Sequence, residues 1–246
     1  MDSLRAAIKS FALKLSAPVR WMVRHELWAL ELSRNRNIEV ERQRLALKDT
    51  AEYVEARLAH VDSFTSQFDL LTAALQHARN RDGLFLEFGV YSGQTINHIA
   101  GRIPCKVYGF DSFEGLPERW RDGIGPGFFK VDRLPPVRPN VVLVKGWFDQ
   151  SLPPFLKEQT HTVAFMHVDC DLYSSTKTVF ELLRPRLEPG TVIVFDEYFN
   201  YPGWRDGEYK AFQEFLRASG LSYKYIGYNR WHEQVAVVLG KAGAPE

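Results

Sequence analysis

The stretch Leu84-Phe85-Leu86-Glu87-Phe88-Gly89-Val90-Tyr91-Ser92-Gly93 decides how the rest of the chain is read. A short apolar run stops at a glycine, a second glycine follows four residues on, and Gln94-Thr95 opens a segment of helical pattern. The expected unit is strand, tight turn, helix. Gly89 lets the backbone turn sharply and approach a ligand, and Gly93 lets the helix start close to the sheet. Taken alone, ExGxxxG also fits an ordinary turn, and it lacks the third glycine of a pyrophosphate-binding loop.

Outward from this unit the same alternation repeats. Apolar runs stand at 106–111, 140–146, 163–169 and 191–197, with helical segments at 93–102, 150–158, 175–187 and 207–219. Such alternation predicts a parallel sheet with crossover helices. The last two runs, 223–228 and 234–239, leave no room for a helix between them and are expected to pair antiparallel. Seven strands ending in a hairpin is the α/β architecture implied, over 81–246. Before it, Tyr53, Val54, Leu58, Val61, Phe64, Phe68, Leu71 and Leu75 recur at helical spacing, so 49–80 reads as a helical lead-in.

The formal net charge of +1 conceals a division. Residues 1–48 hold ten Lys/Arg against five acids, a net +5; the remainder holds 21 against 25, a net −4. Leu4, Ile8, Phe11, Ala12 and Leu15 share one helical face, Pro18 interrupts, and 20–32 resumes the period with Trp21, Val23, Leu27, Trp28 and Leu30. This basic amphipathic arm packs on the core or on a second copy, or touches an anionic membrane surface through residues 1–30, or else stays disordered. The small overall charge excludes a nucleic-acid binder working by bulk charge. Cys105 and Cys170 lie in no metal-ligand or CxxC spacing. No run approaches a membrane span, and Lys9, Lys14 and Arg20 break up any signal-peptide core, so a soluble cytoplasmic protein is expected.

In an open parallel sheet, ligands bind beyond the carboxyl ends of the strands. Asp111 ends the second strand, 22 residues after Gly89, where an acid is placed to take two ribose hydroxyls; capping a helix is its alternative. Gly146-Trp147-Phe148 at the third exit offers a glycine and two aromatics where an adenine ring would lie, with core packing as the plain alternative. The fourth exit carries His167, Asp169 and Asp171, and the fifth Asp196-Glu197. Neighbouring strands would gather these four carboxylates within one mouth, where like charges call for a cation. Carboxylate oxygens without a Cys or His cluster favour Mg²⁺ or a similar divalent ion. Helix capping by Asp171 and Asp196 is the competing explanation. Tyr198 to Arg205 forms an aromatic loop, with Tyr198 and Trp204 suited either to a sugar face or to the arm helices. His167 either touches an acceptor or is a hydrogen-bonded core residue, and His98 is structural.

These motifs, GVYSG (89–93), YGFDSFEGLPE (108–118), HVDCDLYSST (167–176) and FDEY (195–198), resemble the TylF/MycF-type, macrocin O-methyltransferase-like class I S-adenosylmethionine-dependent methyltransferases over about residues 80–240. The resemblance implies a Rossmann-like seven-stranded sheet, S-adenosylmethionine, Mg²⁺, and methyl transfer to a hydroxyl of a sugar or glycosylated natural product. By position, Glu87, Gly89 and Gly93 match the methionine-side loop and Asp111 the ribose-binding acid. Asp169, Asp196 and Glu197 match the metal ligands and Asp171 the general base. Beside these, the strand exits themselves offer Tyr91, Ser92, Ser112, Gly146, Trp147, Phe148 and Asp169 as candidate cofactor contacts, and His167, Tyr173, Tyr198 and Trp204 as candidate acceptor contacts. The family commonly pairs two aspartates where this chain has Asp196-Glu197, and glutamate reaches one bond further. Residues 1–48 find no counterpart, although helical arms in this family often build dimers. A metal-dependent glycosyltransferase using the DxD pattern, and a non-catalytic S-adenosylmethionine binder, are the rival readings.

Overall fold

A computed structural model describes residues 17–80, 82–241 and 243. The amphipathic stretch read over 3–15 lies outside them. Two helices come first, α1 (Ala17–Arg36) and α2 (Ile38–Arg57). Pro18 falls in the first turn of α1, where a missing N–H costs little. Asn37 starts α2, its side chain accepting from the Glu39 and Val40 amides at 3.0 and 3.4 Å. That helix runs unbroken through residue 48.

The lead-in is only partly helical. After α2 the chain forms a two-residue strand, β1 (Ser63–Phe64), and then α3 (Gln67–His77), opened by Ser66, whose hydroxyl accepts from the Phe68 amide. Phe64 therefore belongs to a strand and not to the expected helix. Its spacing of four from Phe68 matched a helical period because both side chains pack on the same cluster.

The remaining elements are β2 (Leu84–Phe88), α4 (Gln94–Ala100), β3 (Val107–Asp111), β4 (Val141–Lys145), α5 (Phe148–Glu158), β5 (Val163–Val168), α6 (Tyr173–Leu183), β6 (Val192–Phe195), α7 (Glu208–Ser219), β7 (Ser222–Asn229) and β8 (Val235–Gly240). The sheet order is β1-β7-β8-β6-β5-β2-β3-β4. Every neighbouring pair is parallel except those made by β8, which lies antiparallel between β6 and β7. The seven expected strands are all present, the last one antiparallel, and β1 adds an eighth alongside β7.

Strand alternation divides the core between the two faces. Leu84, Leu86 and Phe88 join the cluster under α5, α6 and α7, while Phe85 joins the cluster of Leu71, Ile96 and Ile99 under α3 and α4. Each such side chain, fully buried, contributes about 1.5–3 kcal/mol. The order of the sheet reverses between β2 and β5, and there the two exits meet closely. A Cβ on Gly89 would lie 1.6 Å from the Asp169 carbonyl oxygen, so only glycine fits.

Candidate active site

The carboxyl ends of β2, β3, β4, β5 and β6 open into one cavity of about 590 Å³. Its wall includes Gly89, Tyr91, Asp111, Ser112, Gly146, Trp147, Phe148, Asp169, Asp171, Asp196 and Glu197. Eleven of the residues picked out from the sequence thus share one space. Asp111 accepts from the Val90 and Tyr91 amides at 2.8 and 2.9 Å through one oxygen, and from Phe113 at 2.6 Å through the other. It ties the first exit to the second. Its Oδ1, with one donor, keeps a lone pair for a further one, whereas Oδ2 has both of its own engaged.

Seven expected residues lie off this wall. Glu87 and His167 are fully buried behind it: alternation turns Glu87 toward α4, where Thr95 donates to it at 3.1 Å and the His167 Nδ1 lies 3.0 Å away. The other ring nitrogen of His167 stands 3.7 Å from Asp196 Oδ1, a charge contact and not a hydrogen bond. His167 is thus the hydrogen-bonded core histidine and not an acceptor contact. Gly93 starts α4 at φ 79° and Ser92 is exposed beside it. Tyr173 points to α7 and donates to Glu214 at 2.8 Å. Tyr198 and Trp204 correct the sugar-face expectation, since both are buried and Trp204 packs edge-on against Tyr53 of α2 at 5.4 Å. Tyr53 also meets Tyr209 and Tyr225 edge-on at 5.8 and 6.4 Å, so α2 covers that loop.

The acids are crowded and dry, and burial sets their behaviour. Burial and then Asp196 push the Asp169 carboxyl well above the usual range, and burial with Asp196 and Asp171 does the same to Glu197. Burial with Asp196 raises Asp171 to about 7. Burial opposes charge on His167 and Asp196 too. Their mutual contact overrides it, holding the imidazole well above its ordinary value and Asp196 below its own. Asp171, three residues past the end of β5, sits at φ 63°, a left-handed conformation in the turn to α6, and lies on the cavity wall.

A divalent cation fits this donor set. Candidate ligand atoms of Asp169, Asp171 and Glu197 lie within 4.8 Å of one another, as do those of His167, Asp169 and Asp196. The expected trio of Asp169, Asp196 and Glu197 is divided between these groups, with Asp169 common to both. Asp196 Oδ1 and Glu197 Oε2 are buried with no hydrogen-bond partner, a cost that a bound cation would relieve.

Sequence reasoning missed one wall. Leu116, Pro117, Trp120 and Phe129 come from the long connection between β3 and β4, and Ser174, Ser175 and Thr178 from the start of α6. The connection folds without periodicity, through contacts such as Leu116 N–H to Phe128 C=O at 2.9 Å. Two aromatics within a Gly/Pro-rich stretch just after a ligand-facing exit were the available signal.

With this geometry in hand, the comparisons with known proteins agree. Residues 86–198 match the family described as Methyltransferase domain. The calicheamicin methyltransferase CalS11 superposes with a TM-score of 0.55 at 26% identity, over 70% of this chain and 77% of that one. The O-methyltransferase NovP superposes with a TM-score of 0.54 at 20% identity, over 71% and 79%. The fold is thus that of the methyltransferases these structures represent, and the segment 86–198 matches a methyltransferase domain. Among curated proteins, the chain is 31% identical over 146 residues to the 8-demethyl-8-(2,3-dimethoxy-alpha-L-rhamnosyl)-tetracenomycin-C 4'-O-methyltransferase of Streptomyces olivaceus, covering 47% of this chain and 53% of that protein. It is 26% identical over 162 residues to the demethyldecarbamoylnovobiocin O-methyltransferase of Streptomyces niveus, covering 54% and 60%. The matched region thus spans somewhat more than half the length of these two relatives.

Proposed function

We propose that this protein is an S-adenosylmethionine-dependent O-methyltransferase acting on a hydroxyl of a sugar or glycosylated natural product. One observation carries the reading: the glycine-turned first exit, Asp111 and the acids of the fourth and fifth exits face a single cavity. The names of the two Streptomyces relatives support the acceptor class.

In this reading Gly89 and Tyr91 lie along the methionine portion of the donor, Asp111 takes the ribose hydroxyls, and Gly146, Trp147 and Phe148 border the adenine. Asp169, Asp196 and Glu197 would hold Mg²⁺, with His167 and Glu87 fixing Asp196 from behind. When bound, the ion would supply Lewis-acid polarisation of the acceptor hydroxyl. Asp171, beside them on the wall, takes the hydroxyl proton as the oxygen attacks the methyl carbon and the sulfonium sulfur leaves. The apolar wall excludes water and holds donor and acceptor in line, which supplies much of the acceleration. The helical arm serves association of two copies, a reading that the exposed Trp21 and Trp28 of α1 support.

A labelled-methyl transfer screen over glycosylated metabolites, with and without Mg²⁺, tests the proposal. Label should move to a sugar hydroxyl, stop on chelation and return when Mg²⁺ is added back. Transfer that ignores chelator counts against the metal, and no transfer to any glycosylated acceptor counts against the substrate class.

A further inference from the structure

The Ser112–Asn140 connection closes over the cavity, and its parts are anchored unequally. Its far end is held to α4, where Asn97 donates to the Pro136 carbonyl at 2.9 Å. Its near part is held to itself around Gly115 and to α6, where Ser174 donates to Glu118 at 2.6 Å. The tip between them, Trp120 to Gly127, carries Gly123, Gly125 and Gly127, each with open space where a side chain would be. The tip's backbone bonds stay within the connection, Trp120 N–H to Ile124 C=O at 3.1 Å and Gly127 N–H to Leu116 C=O at 2.9 Å, and its glycines allow it conformations that a side chain would deny.

One side chain spans from this tip to the sheet. The Arg121 guanidinium donates through both terminal nitrogens to the Glu233 carboxylate, one bond at 3.1 Å, in a bidentate pair. It also lies 3.8 Å over the Trp120 ring and 4.1 Å over the Tyr201 ring, between a cavity wall and the buried loop after β6. The receiving side is rigid. The Glu233 carbonyl accepts from the Tyr198 amide at 3.0 Å, and the Tyr201 hydroxyl donates to the Glu197 carbonyl at 3.4 Å. Arg121 is therefore fastened to the same turn that presents Asp196 and Glu197. Both charged groups are largely removed from water, at 30% and 23% exposed, so the pair is worth more than a surface contact.

We propose that Arg121 is a positioning residue: through Glu233 it latches the glycine-rich tip shut and sets Trp120 as a wall on the acid side of the cavity. The acid side is the acceptor side only on the methyltransferase reading above; the latch itself stands without it. Arg121, stacked on Trp120 and Tyr201 and paired with Glu233, stands beside the turn that presents Asp196 and Glu197, so its loss would bear first on the acid side, the acceptor side of the proposed reaction.

Hydrogen–deuterium exchange on the intact, ligand-free protein tests the latch. R121A and E233Q should each speed exchange of the amides between Phe113 and Phe129 at least tenfold while β2, β5 and β6 keep wild-type protection. Unchanged exchange in either variant overturns the latch, as does acceleration spread equally over the sheet. With an acceptor from the transfer screen, R121A should raise the acceptor KM about tenfold and keep kcat within threefold. A tenfold fall in kcat at unchanged KM would remove Arg121 from a positioning role. Failure of methyl transfer leaves the exchange result standing, whereas unchanged exchange with transfer intact removes the latch alone.

Discussion

Asp171 and Gly89 show how much one residue decides here. Asp171 is a carboxyl in a left-handed backbone conformation, nearly buried, on the wall it shares with Asp169, Asp196 and Glu197 among other acids. Replacing it with asparagine keeps the shape and removes the base. Turnover should fall by a factor of about 10²–10⁴, while S-adenosylmethionine binding stays within a few-fold; activity that survived would take the base role from Asp171. Gly89→Ala should fail differently. Its φ of 91° alone costs about 1–3 kcal/mol for a residue with a side chain, and the added Cβ meets backbone that cannot yield. A lowered Tm together with lost cofactor binding is expected, and a wild-type Tm would contradict the close approach of the two exits. Both residues were legible in the sequence because each stands at a strand end. Glu87 and His167 were legible only as members of the exits. Which face each one takes depends on the pairing of β2 with β5 and on where each strand stops.

At the scale of elements, regular structure was readable and irregular structure was not. Strands β2 to β8 and helices α4 to α7 announce themselves by period and by the glycines at their ends. The Ser112–Asn140 connection has no period, and its ring contacts and turns come from tertiary folding. The helical spacing of Phe64 misled because a strand at the edge of β7 reaches the same core. The contact between α3 and α4 offers a check on packing. His98 Nε2 lies 2.9 Å from the Phe68 carbonyl and 3.0 Å from the Thr72 hydroxyl, and burial followed by Arg102 lowers its pKa. The folded state thus prefers the neutral ring. Its contribution is complete above the ordinary histidine pKa of about 6.5 and declines as the pH falls toward the lower folded value. Thermal melts of His98→Gln should show a weaker fall in Tm between pH 7 and pH 5 than the parent. An identical slope in both would mean that His98 titrates in the folded protein as it does in the unfolded chain.

Across the whole molecule the charge division and the cavity belong together. Acids outnumber bases outside the amino-terminal 48 residues, and four of them converge on one dry mouth. Among the described residues, α2, which carries the end of the basic arm and the start of the lead-in, bears on the frame of the cavity. Gln43 of α2 donates to the Asn200 carbonyl at 2.7 Å, Thr50 accepts from the Asn200 amide at 2.9 Å, and Asp49 pairs with Arg205 at 2.9 Å. These contacts hold the loop that follows Asp196-Glu197, a connection between distant segments that periodicity could not foretell. Everything else in the functional reading depends on what the cavity binds. The most direct measurement is a calorimetric titration of the protein with S-adenosylmethionine and, separately, with UDP-glucose. One equivalent of S-adenosylmethionine should bind, Asp111→Ala should weaken that binding at least tenfold, and UDP-glucose should give no heat. Binding of the nucleotide sugar with none of S-adenosylmethionine would contradict that reading and return the acid-lined mouth to a glycosyltransferase.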